Sequence, residues 1–466
     1  MRTAIRVFSN LGFALSAVLC GVPLHAADGD LDPTFSSDGR ALVLWDEDGL
    51  TFAEASVVAP LPDGSVVVGG TLGWDPPAAP LAFDWVMAKL SRSGVVDSGW
   101  GDSGRRRIAF DLAEGGGDFL HGLYAEPDGS VLAIGVTFDG QRQIPALARL
   151  TPEGDPDPTF GDAGLLYVPS PWPNSTLIWT ASARQHDGKL LLAGYCLRCP
   201  SNTSHYNPFA VRFHADGTLD TSFSFDGWAP ISDGGTTNDA LFAVAATGDG
   251  RVLLGFEADG ELRLARLNGI GGLDGTFGGD GFVDLDYGLG SYDIASLVVD
   301  PASDETYVVV NGTIFGGKLG LVDRRLANGS DDAAWGVDGG AIFSLEEGIE
   351  LASATLQGDG KLIVAGWMDA TGPQLGGFFL GRLDPDGQKD ASFDGNGVAR
   401  YEFDRTTNGE DGALAIALSG GKPVVGGYAY DAADETDMAI LRVHNAYVFA
   451  DGFEAGDTLS WSSSTP

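Results

Sequence analysis

Short apolar runs separated by turns rich in Gly and Asp recur from about residue 30 to about residue 445. An opening run is exemplified by Ala41-Leu42-Val43-Leu44 and Phe282-Val283-Asp284-Leu285. A second run, such as Ala240 to Ala245, ends in a tight turn that is usually Asp-Gly, at 63–64, 128–129, 187–188, 249–250 and 359–360. Asp and Gly tolerate the positive φ that a type I′ turn demands, so Asp-Gly between apolar runs predicts a hairpin. The third run is the most apolar (Ser65 to Val68, Lys189 to Ala193, Lys361 to Ala365) and reads as a buried strand. A fourth run alternates and closes on a cation followed by an apolar residue: Lys89-Leu90, Arg149-Leu150, Arg212-Phe213, Arg266-Leu267, Arg325-Leu326, Arg382-Leu383 and Arg442-Val443.

One phrase punctuates these runs seven times: Asp, two residues, an aromatic, three residues, Gly. The acids are Asp32, Asp97, Asp157, Asp220, Asp274, Asp332 and Asp390, and the aromatics Phe35, Trp100, Phe160, Phe223, Phe277, Trp335 and Phe393. The closing glycines are Gly39, Gly104, Gly164, Gly227, Gly281, Gly339 and Gly397. The aromatics are spaced by 65, 60, 63, 54, 58 and 58 residues, so this is a repeat protein with a period of roughly sixty. Four short strands per copy make a propeller blade, and one such sheet cannot bury both of its faces alone. The expectation is an all-β, seven-bladed β-propeller spanning 27–446, with repeats at about 30–94, 95–154, 155–217, 218–271, 272–329, 330–387 and 388–446. In this reading the first run opens each unit and the fourth closes it. An open solenoid normally has shorter rungs, and two separate sandwiches do not explain an unbroken series.

The repeated Asp is read first as a turn residue, since its carboxylate accepts N–H groups two or three positions on. In most copies the cation of the preceding run stands eight residues earlier, which predicts a lock between Asp and cation that joins successive units. The lock set is Lys89, Arg149, Arg212, Arg266, Arg325, Arg382 and Arg442, and Asp32 and Arg442 are left over to meet on ring closure. Calcium is the alternative reading of these acids, but a calcium loop places several acids at alternating positions. Otherwise no cofactor or metal is expected. Cys196 and Cys199 form a Cys-x-x-Cys, for which a local disulfide in an oxidising compartment is favoured over zinc or redox use. It opens the long insertion of the third copy, Cys196 to Pro208, and irregular loops are where function concentrates on a regular scaffold.

The phrases Gly-Thr-Leu-Asp-Thr-Ser-Phe at 217–223 and Asp-Gly-Lys-Leu-Leu-Leu-Ala-Gly at 187–194 resemble the delta-60 repeat family of exported bacterial proteins. That resemblance implies a propeller and no catalytic residues to carry over. The repeated phrase is also similar to the Asp-box turn of sialidases, which is structural. The last residues, Asp451-Gly452-Phe453-Glu454 through Trp461-Ser462, resemble a short ending of exported proteobacterial proteins, which implies a tail at 447–466 with a role in sorting or display.

Charge and termini narrow the partners. With 65 acidic against 27 basic residues the formal net charge is −38, which disfavours nucleic acid and anionic membrane as partners. A basic start at Arg2 and Arg6, an apolar stretch from Val7 to Val22 and small residues at Ala26-Ala27 read as a signal peptide over 1–26. The expectation is a secreted, periplasmic or cell-surface monomer with no membrane span. No nucleophile elbow, zinc helix, phosphate loop or dinucleotide fingerprint is present. A non-catalytic scaffold for a protein or glycan is therefore expected, with a carbohydrate-active hydrolase or lyase at the channel mouth as the alternative.

Overall fold

The computed structural model describes residues 27–45, 50–74, 82–113, 116–199, 205–232, 234, 238–345, 348–369, 376–403, 411–430 and 435–445. The expected signal segment and C-terminal tail lie outside the described residues, as does 200–204 of the third-copy insertion. Among the described residues every regular element is a strand.

Five sheets are four-stranded antiparallel meanders. Sheet A runs Phe119–Ala125, Val131–Phe138, Gln143–Leu150, Leu165–Tyr167 in pairing order. Sheets B to E repeat it, opening with Thr176–Arg184, Ala240–Ala246, Gly290–Val299 and Ile349–Leu356. They end with Trp228–Pro230, Phe282–Leu285, Gly340–Phe343 and Val398–Tyr401. Sheet F has nine strands and brings the two ends of the chain together. Its C-terminal part is Gly412–Ser419, Lys422–Tyr430 and Thr436–Arg442, and Arg40–Val43 pairs antiparallel with the last of these, Arg40 opposite Leu441 and Val43 opposite Met438. Its N-terminal part is Val57–Pro60, Val66–Trp74, Ala82–Leu90 and Arg105–Ile108, joined to the rest through Leu50–Ala53. The arrangement is a β-propeller.

The core lies between sheets, because each sheet is apolar on both faces. The second strand of sheet A, Val131–Phe138, is buried at all but its last position. Leu132, Ile134 and Val136 pack with sheet B's Leu190 and Leu192, while Val131 and Ala133 pack with sheet F's Val67, Trp85 and Met87. Alternation along one strand therefore feeds two interfaces.

In sheets A to E the first strand carries a register shift, for instance between Leu120 and Gly122, Trp179 and Ala181, and Leu351 and Ser353. Opposite the bulge stands Gly135, Gly194 or Gly366. A Cβ at these positions would come within 2.1 Å, 2.0 Å and 1.9 Å of the carbonyl oxygens of Phe119, Ile178 and Glu350. That close approach explains why a Gly stands at this point of the third run.

Two expectations need correction. The run after each repeated Gly does not open a new sheet; Arg105–Ile108, for example, is the edge partner of Ala82–Leu90 before it. The stretch between them, 91–104, is folded back on the strand by backbone bonds from Asp97 N–H to the Lys89 carbonyl and from Lys89 N–H to the Gly104 carbonyl, and the chain crosses to the next sheet only after Ile108. Sheets are thus offset by one strand from the sequence copies. The third-copy insertion is also shorter than expected, since Cys196 pairs with Asn207 and Leu197 with Tyr206 as extensions of two strands.

Candidate functional site

The repeated phrase builds one turn seven times, and its spacing follows from backbone hydrogen bonds. The aromatic N–H donates to the Asp carbonyl at 2.9–3.0 Å, and the Gly N–H donates to the aromatic carbonyl at 2.7–2.9 Å. The cation residue closes the turn from the previous strand. Arg149, for instance, accepts from Asp157 N–H at 2.8 Å and donates to the Gly164 carbonyl at 3.0 Å. The Asp carboxylate then ties the side chains. One oxygen of Asp157 accepts from the Thr159 N–H at 2.8 Å and hydroxyl at 2.7 Å, and the other from Arg149 Nε at 2.7 Å.

The same Asp–Arg contact appears as Arg212–Asp220, Arg266–Asp274 and Arg382–Asp390, with Nε to carboxylate at 2.7–2.8 Å. Lys89 reaches Asp97 at 3.4 Å. In the fifth copy the contact is made by Arg324, whose Nε lies 2.8 Å from Asp332, and not by Arg325. Neighbours along a strand face opposite sides. Arg325 therefore points away and pairs instead with Asp323 and Asp331.

The turn also grips the next sheet. Each guanidinium lies over the motif aromatic of its own turn, with Arg212 4.4 Å from the Phe223 ring centre and Arg442 4.8 Å from that of Phe35. The far side of each ring packs on the turn of the following sheet. Ser224 N–H, just after Phe223, donates to the Ile270 carbonyl at 2.8 Å, and Gly278 and Gly336 do the same to Asn328 and Asp386. The receiving turn carries a Gly with positive φ: Gly94, Gly154, Gly217, Gly271, Gly329 or Gly387. A Cβ at Gly154 would stand 2.5 Å from the Trp100 ring, and one at Gly217 2.5 Å from that of Phe160. This glycine precedes every motif Asp by three residues, a regularity visible in the sequence whose meaning the sequence reading missed.

At the junction of the chain ends, Arg442 Nε donates to Asp32 at 2.8 Å and Lys422 Nζ at 2.7 Å. Arg442 also reaches the Arg92 carbonyl and Thr34 hydroxyl, while Gly29 N–H bonds the His444 carbonyl at 3.0 Å. Asp32 is fully buried. Burial opposes its ionisation, but the hydrogen bonds from Lys422 and Thr34 and the charge of Arg442 outweigh that and hold its carboxyl well below the usual range. Asp390 is held low in the same way, by Lys361, Ser392 and Arg382 against burial. At both acids one carboxylate oxygen is taken up by an ammonium and a guanidinium nitrogen and the other by the turn. Among the described residues no three His, Cys, Asp or Glu side chains group as a metal site.

The remaining chemistry lies elsewhere. Cys196 and Cys199 are joined as a disulfide with Cα atoms 6.1 Å apart, buried beside Trp172, Trp179, Phe209 and Trp228. These tryptophans are core residues. His121 is held neutral by burial, its pKa lowered to about 4. The end of each sheet opposite the motif turns carries links that differ from copy to copy. There, burial pushes Asp118 up to about 6, although the Phe110 N–H donates to it at 2.7 Å. Burial also raises Asp293, with nearby Glu350 adding to it. Lys318 lies 3.0 Å from Asp369 and 3.4 Å from Glu350.

Three stretches, residues 126–160, 185–223 and 357–393, match the family described as "Domain of unknown function (DUF5122) beta-propeller". Parts of the chain are thus similar to the DUF5122 β-propeller domain. Each DUF5122 stretch begins at the first hairpin turn of a sheet and ends on the motif aromatic, Phe160, Phe223 or Phe393. It thus contains the two central strands and the Asp–Arg lock. No curated protein matches the chain. Among solved structures it is similar to the polysaccharide lyase Uly1 at 11% identity, covering 90% of this chain and 97% of that one with a TM-score of 0.49. It is also similar to Drosophila Plexin A in complex with Semaphorin 1b (11% identity, 84% and 88% covered, TM-score 0.37). A third likeness is to the alpha-L-arabinofuranosidase Arb93A from Fusarium graminearum (10% identity, 91% and 99% covered, TM-score 0.37). Likenesses this distant carry no activity to the chain.

Proposed function

We propose that the chain is an exported, monomeric, closed seven-bladed propeller of delta-60-type repeats that serves as a non-catalytic scaffold. It binds a protein or glycan at the cell surface or outside the cell through the face opposite the motif turns. Sheet F supplies two of the seven blades: one is Val57–Pro60 to Arg105–Ile108, the other Gly412–Ser419 to Thr436–Arg442 with Arg40–Val43 as its outer strand. In support, the opening strands contact one another in a closed circuit through sheets A to E and both parts of sheet F.

The observation that carries the binding reading is the division of labour between faces. The repeated Asp, Arg, aromatic and Gly residues bond to one another at the sheet junctions, which assigns them to assembly. The opposite face carries links that differ in every copy, and variation on a fixed frame suits recognition. The test is binding of the secreted protein to a glycan array and to envelope proteins, with and without a calcium chelator. Binding abolished by substitutions in the variable links, and retained after substitutions in exposed motif-face residues such as Asp187, supports the proposal. Catalytic turnover of a bound glycan, with product released, overturns it.

A further inference from the structure

The hairpin between Thr306–Ile314 and Gly317–Arg325 of sheet D turns through Phe315 and Gly316, with φ of 51° and 85°. The corresponding hairpin of sheet C turns through Asp259 and Gly260, with φ of 56° and 84°. The two backbones are nearly the same. Asp-Gly is what this turn prefers, whereas a bulky side chain in the left-handed region is an outlier. The backbone therefore does not ask for Phe315. Its ring is fully exposed at 105%, and Ile314 beside it is 47% exposed. A Cβ added at Gly316 would meet nothing within 4 Å, so the tip stands clear of the body.

Acids lie on both flanks of this hairpin. Tyr292, which pairs with Gly312, donates its hydroxyl to Glu261 at 2.5 Å and to the Gly260 carbonyl at 3.2 Å. Glu261, with burial and with Asp286 and Glu257 nearby, pushes that phenol up to about 12. On the other flank Lys318 is taken up by Asp369 and Glu350, and Asp293 hydrogen-bonds Asn311. A fully exposed aromatic on a turn that does not require it, on a hairpin with carboxylates among its neighbours on both sides, has the form of an interface anchor.

We propose that Ile314 and Phe315 form a docking knob that inserts into an apolar pocket, rimmed by Lys and Arg, on a partner protein. The proposal rests on the reading that the variable face is the binding face, and it names the anchor on that face. A second copy of this chain does not fit, because a net charge of −38 makes two copies repel.

The test is site-specific photo-crosslinking in the native cells, with p-benzoylphenylalanine at position 315 and, as a control, at position 259. A predominant protein adduct is expected at 315, mapping to an apolar pocket bordered by basic residues. The purified partner should bind Phe315→Asn about 30-fold more weakly than the unsubstituted protein, and more weakly as salt rises. Asn suits the turn, so Phe315→Asn should melt no lower, which separates lost docking from lost folding. Adducts no stronger than at 259, adducts to carbohydrate alone, or unchanged affinity of Phe315→Asn overturn the knob. Adducts concentrated at another variable link overturn the knob and leave the face reading standing; adducts confined to the motif face overturn both.

Discussion

Replacing Arg442 by Ala strips the chain-end junction of its main cation while leaving the fully buried carboxylate of Asp32 in place. Four contacts are lost with it: the 2.8 Å bond to Asp32, the 2.7 Å bond to the Arg92 carbonyl, the 3.0 Å bond to the Thr34 hydroxyl and the stacking on Phe35. Removing one member of a buried ion pair costs about 3–5 kcal/mol, mostly for the charge left behind. Lys422 still reaches Asp32 at 2.7 Å, which places the expected cost near the low end, at about 3 kcal/mol. An unfolding entropy of about 2.1 cal/mol/K per residue over ~420 residues is about 0.9 kcal/mol/K, so cooperative unfolding should fall by about 3–4 °C. Differential scanning calorimetry reads that shift. Hydrogen exchange of Arg40–Val43, the strand contributed from the other end of the chain, reads the local opening that should precede it. Asp32→Asn in the Arg442→Ala background should recover part of the loss, because the stranded charge is then gone. The reasoning is refuted if Arg442→Ala melts no lower than the exposed-site control Glu153→Ala and exchange at 40–43 is unchanged.

Three further outcomes follow from the same geometry. Gly154→Ala, at φ +84° with its new Cβ 2.5 Å from Trp100, should cost about 3 kcal/mol in urea unfolding; Gly234→Ala, at φ +83° with nothing within 4 Å, should cost only about 1 kcal/mol. Equal losses would remove the ring-on-glycine contact from the account. The carboxyls of Asp32 and Asp390 lie below their unfolded value of 3.8, so the unfolded chain binds more protons and their stabilisation, complete above that value, is lost as pH falls below it. The stability gap between the unsubstituted protein and Asp32→Asn should therefore narrow on acidification from about pH 6 to about pH 2.5; a constant gap contradicts the assignment. Replacing Cys196 and Cys199 together by Ala should cost about 2 kcal/mol for so short a loop, and in the unsubstituted protein the two buried thiols should become titratable only when reductant is combined with denaturant.

The strands, the Asp-Gly hairpins and the seven-fold phrase are legible in the chain alone because each is a local event. A turn is decided by residues within seven positions of one another, and the eight-residue step from Arg149 to Asp157 spans one such turn. The same step locates Arg324 rather than Arg325, but apolar patterning favoured the residue next to Leu326. What the chain could not disclose is whatever depends on which sheet lies beside which. Gly154 is an ordinary turn glycine until the Trp100 ring packs against it from the neighbouring sheet. The run at 105–108 looks like the start of a unit until its hydrogen bonds go back to 82–90. The pairing of Asp32 with Arg442, 410 residues apart, is by contrast legible as the two members left over from the eight-residue step, and the structure adds that the last sheet takes its outer strand from the first copy. The exposure of Phe315 is a property of the assembled fold, since in the sequence it is one more aromatic in an apolar run. Local chemistry dictates each turn and strand, whereas burial and charge pairing between sheets are settled only once the sheets stand side by side.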